Sequence, residues 1–70
     1  MKFNGSLARR RRFELGKSLG EVALAVGMSK SWLSQVERGL FNPKPGTSKQ
    51  LAAALDTDLE ALWTAEGDAA

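Results

Sequence analysis

The stretch SLGEVALAVGMSKSWLSQVERG, residues 18–39, predicts two short helices joined by a tight turn. Ser18 and Glu21 form a capping-box pattern, so we expect the first helix to cover about residues 19–26. Its apolar residues follow the i, i+3, i+4, i+7 spacing of a helix with one buried face. Gly27 then supplies the positive φ angle with which many helices end.

The second helix of the pair is predicted over residues 30–38, with Ser29 as its cap. The spacing of Leu33 and Val36 directs both side chains inward. A small residue at Ala23 allows the two helices to cross closely, an arrangement that presents the second helix to the major groove of DNA. The opposite face of this helix is polar and carries Lys30, Ser31, Ser34, Gln35 and Arg38.

The rest of the chain predicts three further helices, which makes the fold all-α: a compact five-helix domain. We expect residues 1–5 to form a flexible N-terminal arm, residues 6–63 the domain and residues 64–70 a flexible tail. No segment alternates apolar and polar residues for long enough to predict a strand. Ser6, either Thr47 or Ser48, and Asp58 are the expected caps, and the three helices are predicted at residues 7–15, 49–55 and 59–63.

Composition excludes several classes of function. The chain has no Cys and no His, so it lacks disulfides, thiolate metal sites and the commonest general base at neutral pH. No phosphate-binding glycine loop is present, and the carboxylates are scattered. We therefore expect no metal, no cofactor and no enzymatic activity. No apolar run approaches the roughly 20 residues that cross a bilayer, so we expect no membrane contact and a cytoplasmic location.

The formal net charge of +2 hides an uneven distribution along the chain. Residues 1–50 contain all ten Lys and Arg residues and three Glu, a balance of +7. Residues 51–70 contain five acidic residues and no basic one, a balance of −5. A basic front and an acidic back favour a polyanionic partner on one face, and the same pattern also fits a solvated surface of uneven charge.

Residues 18–39, together with Pro43 and the LAAAL segment at residues 51–55, resemble the Xre-type family of phage repressor and Cro-like helix-turn-helix proteins. The resemblance extends over about residues 6–63. It implies a sequence-specific transcriptional regulator, typically a repressor, that binds double-stranded DNA as a homodimer. The alternative is a protein-interaction module of the same fold, such as an antitoxin or a phage or plasmid recombination accessory factor. Such a module would hold a protein partner with its acidic C-terminal part.

The same resemblance assigns roles to individual residues. Lys30, Ser31 and Gln35 match positions that touch base edges, and Ser34 is a weaker candidate on the same face. Gln is suited to adenine, Lys to guanine and Ser to either. The alternative for each of these residues is that it belongs to an ordinary exposed helix surface without contact to DNA. The candidates for phosphate contacts, which give affinity and register without sequence information, are Ser18, Arg38, Arg9, Arg10, Lys17 and Lys44.

Arg12 and Glu37 match a pair that forms an internal salt bridge between the first and third helices of the family; the alternative is two independent surface charges. The chain departs from the family pattern at Leu19, often Gln, and at Lys17, usually apolar. Because leucine cannot donate a hydrogen bond, the departure at Leu19 removes the backbone contact that the family makes there.

Three aromatic or aliphatic residues have two interpretations each. Trp32 either packs over the second helix, which we favour because Trp contributes mainly buried area, or donates its indole N–H to a phosphate. Leu40 and Phe41 either form a homodimer patch or cap the monomer core, and the sequence favours neither.

Overall fold

Five helices and a pair of two-residue strands make up the part of the chain that the structure, a computed structural model, describes: residues 2–64. The five-helix prediction is confirmed. The elements in chain order are β1 (Lys2–Phe3), α1 (Gly5–Glu14), α2 (Leu19–Ala25), α3 (Lys30–Glu37), α4 (Pro45–Ala54), α5 (Leu59–Leu62) and β2 (Trp63–Thr64).

The two central helices begin and end where local chemistry predicts. The hydroxyl of Ser18 accepts the backbone N–H of Glu21, and the Glu21 carboxylate accepts the N–H of Ser18, both at 3.1 Å. The Ser29 hydroxyl accepts the N–H of Trp32 at 3.1 Å and so caps α3. Gly27, at φ 72°, makes the turn between α2 and α3 in the left-handed region that glycine enters without strain. The capping box and both helix caps are confirmed.

The core is formed by buried side chains from all five helices and from β1. Leu33 is fully buried, and Val36 and Ala23 are each 1% exposed. Leu51 and Leu62 cover them from the C-terminal helices, at 0% and 2% exposure. Fully burying an aliphatic side chain of this size stabilises the fold by about 1.5–3 kcal/mol. Burial on this side leaves the polar face of α3 directed outward.

The prediction of a flexible arm is wrong for the residues that the structure describes. Lys2 pairs with Thr64 and Phe3 with Trp63 in an antiparallel ladder. Phe3 is 2% exposed, and its ring meets the edge of Trp63 at a centroid distance of 6.1 Å. Burial of a whole phenyl ring offsets the cost of ordering so short a segment. Thr64 therefore belongs to a strand, and the remainder of the predicted tail, residues 65–70, lies outside the described residues.

The predicted caps of α1 and α4 are also corrected. The side-chain oxygen of Asn4, rather than Ser6, accepts the N–H of Leu7 at 3.1 Å, so α1 begins earlier than expected. Helix α4 begins at Pro45, because proline has no N–H and a φ angle already suited to a first helical turn. The Ser48 hydroxyl is buried and donates to the Pro43 carbonyl at 3.3 Å.

Thr47 likewise lies inside α4 rather than at its cap. Asp58 occupies the N-cap position of α5, but its side chain makes no capping hydrogen bond among the residues described. Helix α5 ends at Leu62, one residue short of the prediction, because Trp63 turns to the extended conformation of β2.

Two cations from the first part of the chain hold the C-terminal end of α4. The Arg11 guanidinium donates to the carbonyls of Leu55 and Asp56, both at 2.9 Å. The Lys17 ammonium donates to the Ala54 carbonyl at 2.8 Å. Positive charge at this helix end satisfies carbonyls that have no partner within the helix and complements its dipole. Within residues 2–64, none of the helices is long and apolar enough to cross a bilayer.

Candidate nucleic-acid interface

An open groove of about 560 Å³ lies between the N-terminal end of α2 and the outward face of α3. Apart from Leu19, both helices contribute polar or small side chains to the groove, which is open to solvent. The groove is lined by Ser18, Leu19, Gly20, Lys30, Ser31, Ser34, Gln35 and Arg38.

All four residues predicted to contact bases line this groove. Lys30, Ser31 and Gln35 are exposed, and Ser34 is half-buried. Their common orientation follows from the amphipathic spacing of α3, whose other face is anchored by Leu33. Their contact with bases stays a prediction, for which they have the required exposure and a shared direction.

A buried ion pair fixes the C-terminal end of α3 against α1. The Arg12 Nε donates to Oε2 of Glu37 at 2.8 Å, and Nη2 donates to Oε1 at 3.0 Å. The two side chains are 9% and 5% exposed. A third donor of Arg12, Nη1, reaches the carbonyl of Lys17 at 3.0 Å. The predicted salt bridge is therefore formed, and the alternative of two independent surface charges is excluded.

The hydrogen bonds of Arg12 to Glu37 favour the charged form of the guanidinium. Those hydrogen bonds raise the pKa of Arg12 above its usual value, against the lowering effect of burial, and the carboxylate charge raises it further. Because the raised pKa belongs to the folded state, the resulting stability is present below the ordinary pKa and is lost only as pH rises through the raised one. On the arginine side, the pair is thus fully charged at neutral pH.

Two glycines that sequence reasoning did not single out shape the surroundings of α3. A Cβ on Gly5 would overlap the backbone oxygen of Val36 and lie 2.8 Å from that of Glu37, so only glycine lets α1 begin this close to the end of α3. A Cβ on Gly20 would lie 3.1 Å from Cδ of Lys30. The sequence did hold a signal: each glycine lies within or just before the first turn of a predicted helix. Glycine has a low helix propensity, so its presence there calls for a structural reason.

Two of the six candidates for phosphate contacts lie in the groove. Arg38 is exposed at the C-terminal end of α3, and its guanidinium has no hydrogen bond or ion pair among residues 2–64. The Ser18 hydroxyl lies at the other end and already accepts the Glu21 N–H. These two residues bracket the base-reading candidates.

The other four candidates do not line the groove. The guanidinium of Arg9 stacks over Phe13 at 5.3 Å, and that of Arg10 lies 3.8 Å from the carboxylate of Glu14. Lys17 uses its ammonium on the Ala54 carbonyl, and Lys44 is exposed at the start of α4. Their phosphate contacts stay predictions, and Lys17 would first have to release a helix carbonyl.

Trp32 packs rather than projects. It is half-buried against the core, and its ring meets the edge of Phe41 at a centroid distance of 6.4 Å. Leu40 and Phe41 are 66% and 41% exposed and do not belong to the core. The preferred interpretation of Trp32 agrees with this geometry, whereas the interpretation of Leu40 and Phe41 as caps of the monomer core does not.

A sequence model of a protein family, described as a helix-turn-helix domain, matches residues 5–63. That range contains all five helices and the whole groove. The chain belongs to this helix-turn-helix family. The predicted family resemblance, over about residues 6–63, is confirmed.

Relatives of the chain within this family include bacterial and phage proteins. The HTH-type transcriptional regulator SlrR of Bacillus subtilis is 38% identical over 63 residues, which are 89% of this chain and 41% of SlrR. The ImmF control region 10 kDa protein of Bacillus phage phi105 is 34% identical over 62 residues, 89% of this chain and 69% of that protein. The chain thus spans less than half of SlrR. The name of SlrR is that of a regulator, in agreement with the prediction that the chain is not an enzyme.

Solved structures share the arrangement of helices. The restriction-modification controller protein C.AhdI from Aeromonas hydrophila matches with a TM-score of 0.78 and 32% identity, over 84% of this chain and 86% of that one. The biofilm master regulator SinR, solved in complex with DNA, matches with a TM-score of 0.73 and 37% identity, over 80% and 90%. A SinR–SinI protein complex matches with a TM-score of 0.79 and 35% identity, over 89% and 61%.

Proposed function

We propose that this helix-turn-helix protein is a sequence-specific regulator of transcription, acting as a repressor, that inserts α3 into the major groove of double-stranded DNA. The observation that carries the proposal is the division of α3 into two faces. Leu33 and Val36 are 0% and 1% exposed, while Lys30, Ser31 and Gln35 are exposed along one open groove. Such a helix is held rigidly and still offers donors and acceptors to base edges.

Charge supports the same partner. Lys30 and Arg38 lie at opposite ends of the exposed face of α3, and neither ammonium nor guanidinium has an ion-pair partner among the described residues. Glu37, the one carboxylate on α3, is buried against Arg12 and is thereby kept away from the outer face. The outer face of α3 therefore carries positive charge only, as binding to a phosphate backbone requires.

The relatives support the proposal at the level of the domain. SinR, whose matched structure contains DNA, is 37% identical to this chain over the compared region. SlrR is named as a transcriptional regulator. A regulator of this kind acts where the DNA is, so a cytoplasmic location in a bacterial cell is part of the proposal.

Selection from random duplex DNA tests this function. The full chain is used to enrich duplexes at low ionic strength, and the bound pool is sequenced. We expect one enriched motif with two-fold related halves separated by about 34 Å, one helical turn. A well-folded protein that enriches no motif, or that binds all duplexes equally, would contradict sequence-specific regulation.

We also propose a homodimer formed through Leu40 and Phe41. The Cα atoms of the described residues extend over at most 27 Å, so a single copy spans less than the roughly 34 Å between half-sites. Two neighbouring exposed apolar side chains, at the end of the helix that meets DNA, suit a small symmetric contact that sets this spacing.

Sedimentation with and without the selected duplex tests the dimer. The double variant Leu40→Ser, Phe41→Ser should bind a half-site as the parent does and lose the concentration-dependent, two-to-one complex on the full site. Unchanged two-to-one assembly of that variant would exclude this surface. The variant Phe13→Ser is a matched control, since Phe13 is another exposed aromatic residue, 59% exposed, on α1.

A second candidate function is a protein-interaction module. The matched SinR–SinI structure supports it, because SinR there forms a complex with another protein. The surface of such a module would be the acidic C-terminal part, where Asp56, Asp58 and Glu60 are exposed. The two candidates separate cleanly under mutation. Loss of sequence preference in Gln35→Ala supports DNA reading. The interaction module is supported by a different result. In that case Gln35→Ala keeps the full preference for one DNA sequence, and the double variant Asp58→Asn, Glu60→Gln abolishes regulation of a reporter gene in cells.

A further inference from the structure

The stem of Lys30 crosses α2 at Gly20. A Cβ built on Gly20 would lie 3.1 Å from Cδ and 3.6 Å from Cγ of Lys30, so the methylene chain passes directly over the glycine. The nearest other atom is Oγ of Ser18, at 4.0 Å from the same point. The first residue of α3 is therefore directed across the N-terminal end of α2.

Glycine at position 20 lowers the stability of α2, and no special backbone conformation requires a glycine there. Gly20 is the second residue of α2, and its φ angle is not among the positive ones that favour glycine. Alanine would suit a helical position better, because glycine loses more conformational freedom on folding. What glycine provides here is the free space that Lys30 occupies.

We propose that Gly20 is a positioning residue for DNA recognition, and that it determines which base pair Lys30 contacts. The inference rests on the proposed DNA-reading function. A lysine stem has four rotatable bonds, and an exposed one normally samples many directions. Contact of the stem with the bare backbone of Gly20 favours one direction across α2, so the ammonium enters the open groove from a preferred side before DNA arrives.

A side chain at position 20 can affect DNA binding in two ways. Acting through Lys30, the new side chain would change preference at a single base pair. Acting by collision with the duplex itself, it would weaken binding to every sequence equally. The base pair concerned is identified independently, as the one whose preference is lost in Lys30→Ala.

The test compares Gly20→Ala and Gly20→Leu in the parent and in the Lys30→Ala background. The matched control is Ala25→Leu, which places the same leucine side chain at an exposed position of α2 that does not line the groove. Dissociation constants are measured on the selected site and on its single-base variants. Thermal unfolding accompanies each variant, and Gly20→Ala should melt at a higher temperature than the parent because its helix propensity is better.

We expect Gly20→Leu to reduce discrimination at the Lys30 base pair by about fivefold or more, the range of one specific base contact, and Gly20→Ala to reduce it less. In the Lys30→Ala background, both changes at position 20 should have no further effect. Equal weakening on all sites that persists without Lys30, or unchanged discrimination in Gly20→Leu, would overturn the inference while leaving the DNA-reading function intact. A parent chain without any sequence preference would overturn both.

Discussion

Gln35 is the residue whose replacement should change sequence preference most simply. It is exposed in the middle of the groove face of α3, and its side-chain amide forms no hydrogen bond with the other residues that the structure describes. Gln35→Ala should reduce discrimination at one base pair by ~1–3 kcal/mol, the usual worth of a bidentate contact. Fluorescence anisotropy on single-base variants of the selected site measures the loss.

Gln50→Ala is the matched control for this prediction, because Gln50 is an exposed glutamine on α4, outside the groove. It should leave the preference unchanged at every base pair. Equal behaviour of the two variants would contradict a reading role for Gln35.

Glu37 and Glu14 allow a test of burial at the scale of a single ion pair. Glu37→Ala leaves the buried guanidinium of Arg12 without its partner and should destabilise the fold by ~3–5 kcal/mol. Glu14 is half-exposed and lies 3.6–3.8 Å from Arg10 and Arg11, so Glu14→Ala should cost less than about 1 kcal/mol. Urea unfolding at neutral pH measures both. A similar decrease in the free energy of unfolding in the two variants would contradict a special contribution of the buried Arg12–Glu37 pair to stability.

At the scale of helices, Gly5 controls how closely α1 approaches the C-terminal end of α3. Gly5→Ala would drive a methyl group into the carbonyl oxygens of Val36 and Glu37. We expect a loss of about 1–3 kcal/mol, typical of overpacking, in spite of the better helix propensity of alanine. To relieve this overlap, α1 and α3 must move apart. Because α3 is the helix proposed to enter the DNA groove, DNA affinity should also fall.

Gly46→Ala is the control on α4, since Gly46 is also in a first helical turn and a Cβ there has nothing within 4 Å. It should be neutral or stabilise the protein by up to about 1 kcal/mol. Calorimetric melting of the two alanine variants gives the comparison, and equal melting temperatures would contradict the close packing of α1 on α3.

The same scale shows what the sequence could and could not predict. Helices α2 and α3 were predictable because their signals are local: Ser18 with Glu21, and Gly27 at the turn. The β1–β2 ladder was not, because its two residues per strand carry no periodicity and the pairing joins the two ends of the described chain. The first turn of α4 was missed because the helix was predicted only from residue 49, whereas Pro45, which suits a first helical turn, begins it.

The candidate site divides in the same way. The polar residues of α3 were predictable from helical spacing and from the family resemblance, which together located the exposed face. The contributions of Gly5 and Gly20 depend on contacts with residues about 10 to 32 positions away, and only the folded chain brings those atoms together. Likewise, no local pattern shows that the Lys17 ammonium is held by the end of α4.

At the scale of the whole molecule, charges that are free should be distinguishable from charges that the fold uses. Arg38 is exposed in the groove, whereas the Arg11 guanidinium is held by the carbonyls of Leu55 and Asp56. Arg38→Ala should reduce the slope of log affinity against log salt by about one, the effect of one phosphate contact. Arg11→Ala, measured well below its melting temperature, should leave the slope unchanged although it lowers stability.

Mapping of the DNA-contacting surface by NMR tests whether α3 is the part of the chain that enters the DNA groove. The labelled chain is titrated with its selected duplex, and the changes in backbone amide shifts are followed residue by residue. The account predicts the largest changes at residues 18–20 and 29–38, with little change on the acidic side at residues 56–62. Shifts concentrated on residues 56–62, with α3 unaffected, would contradict it.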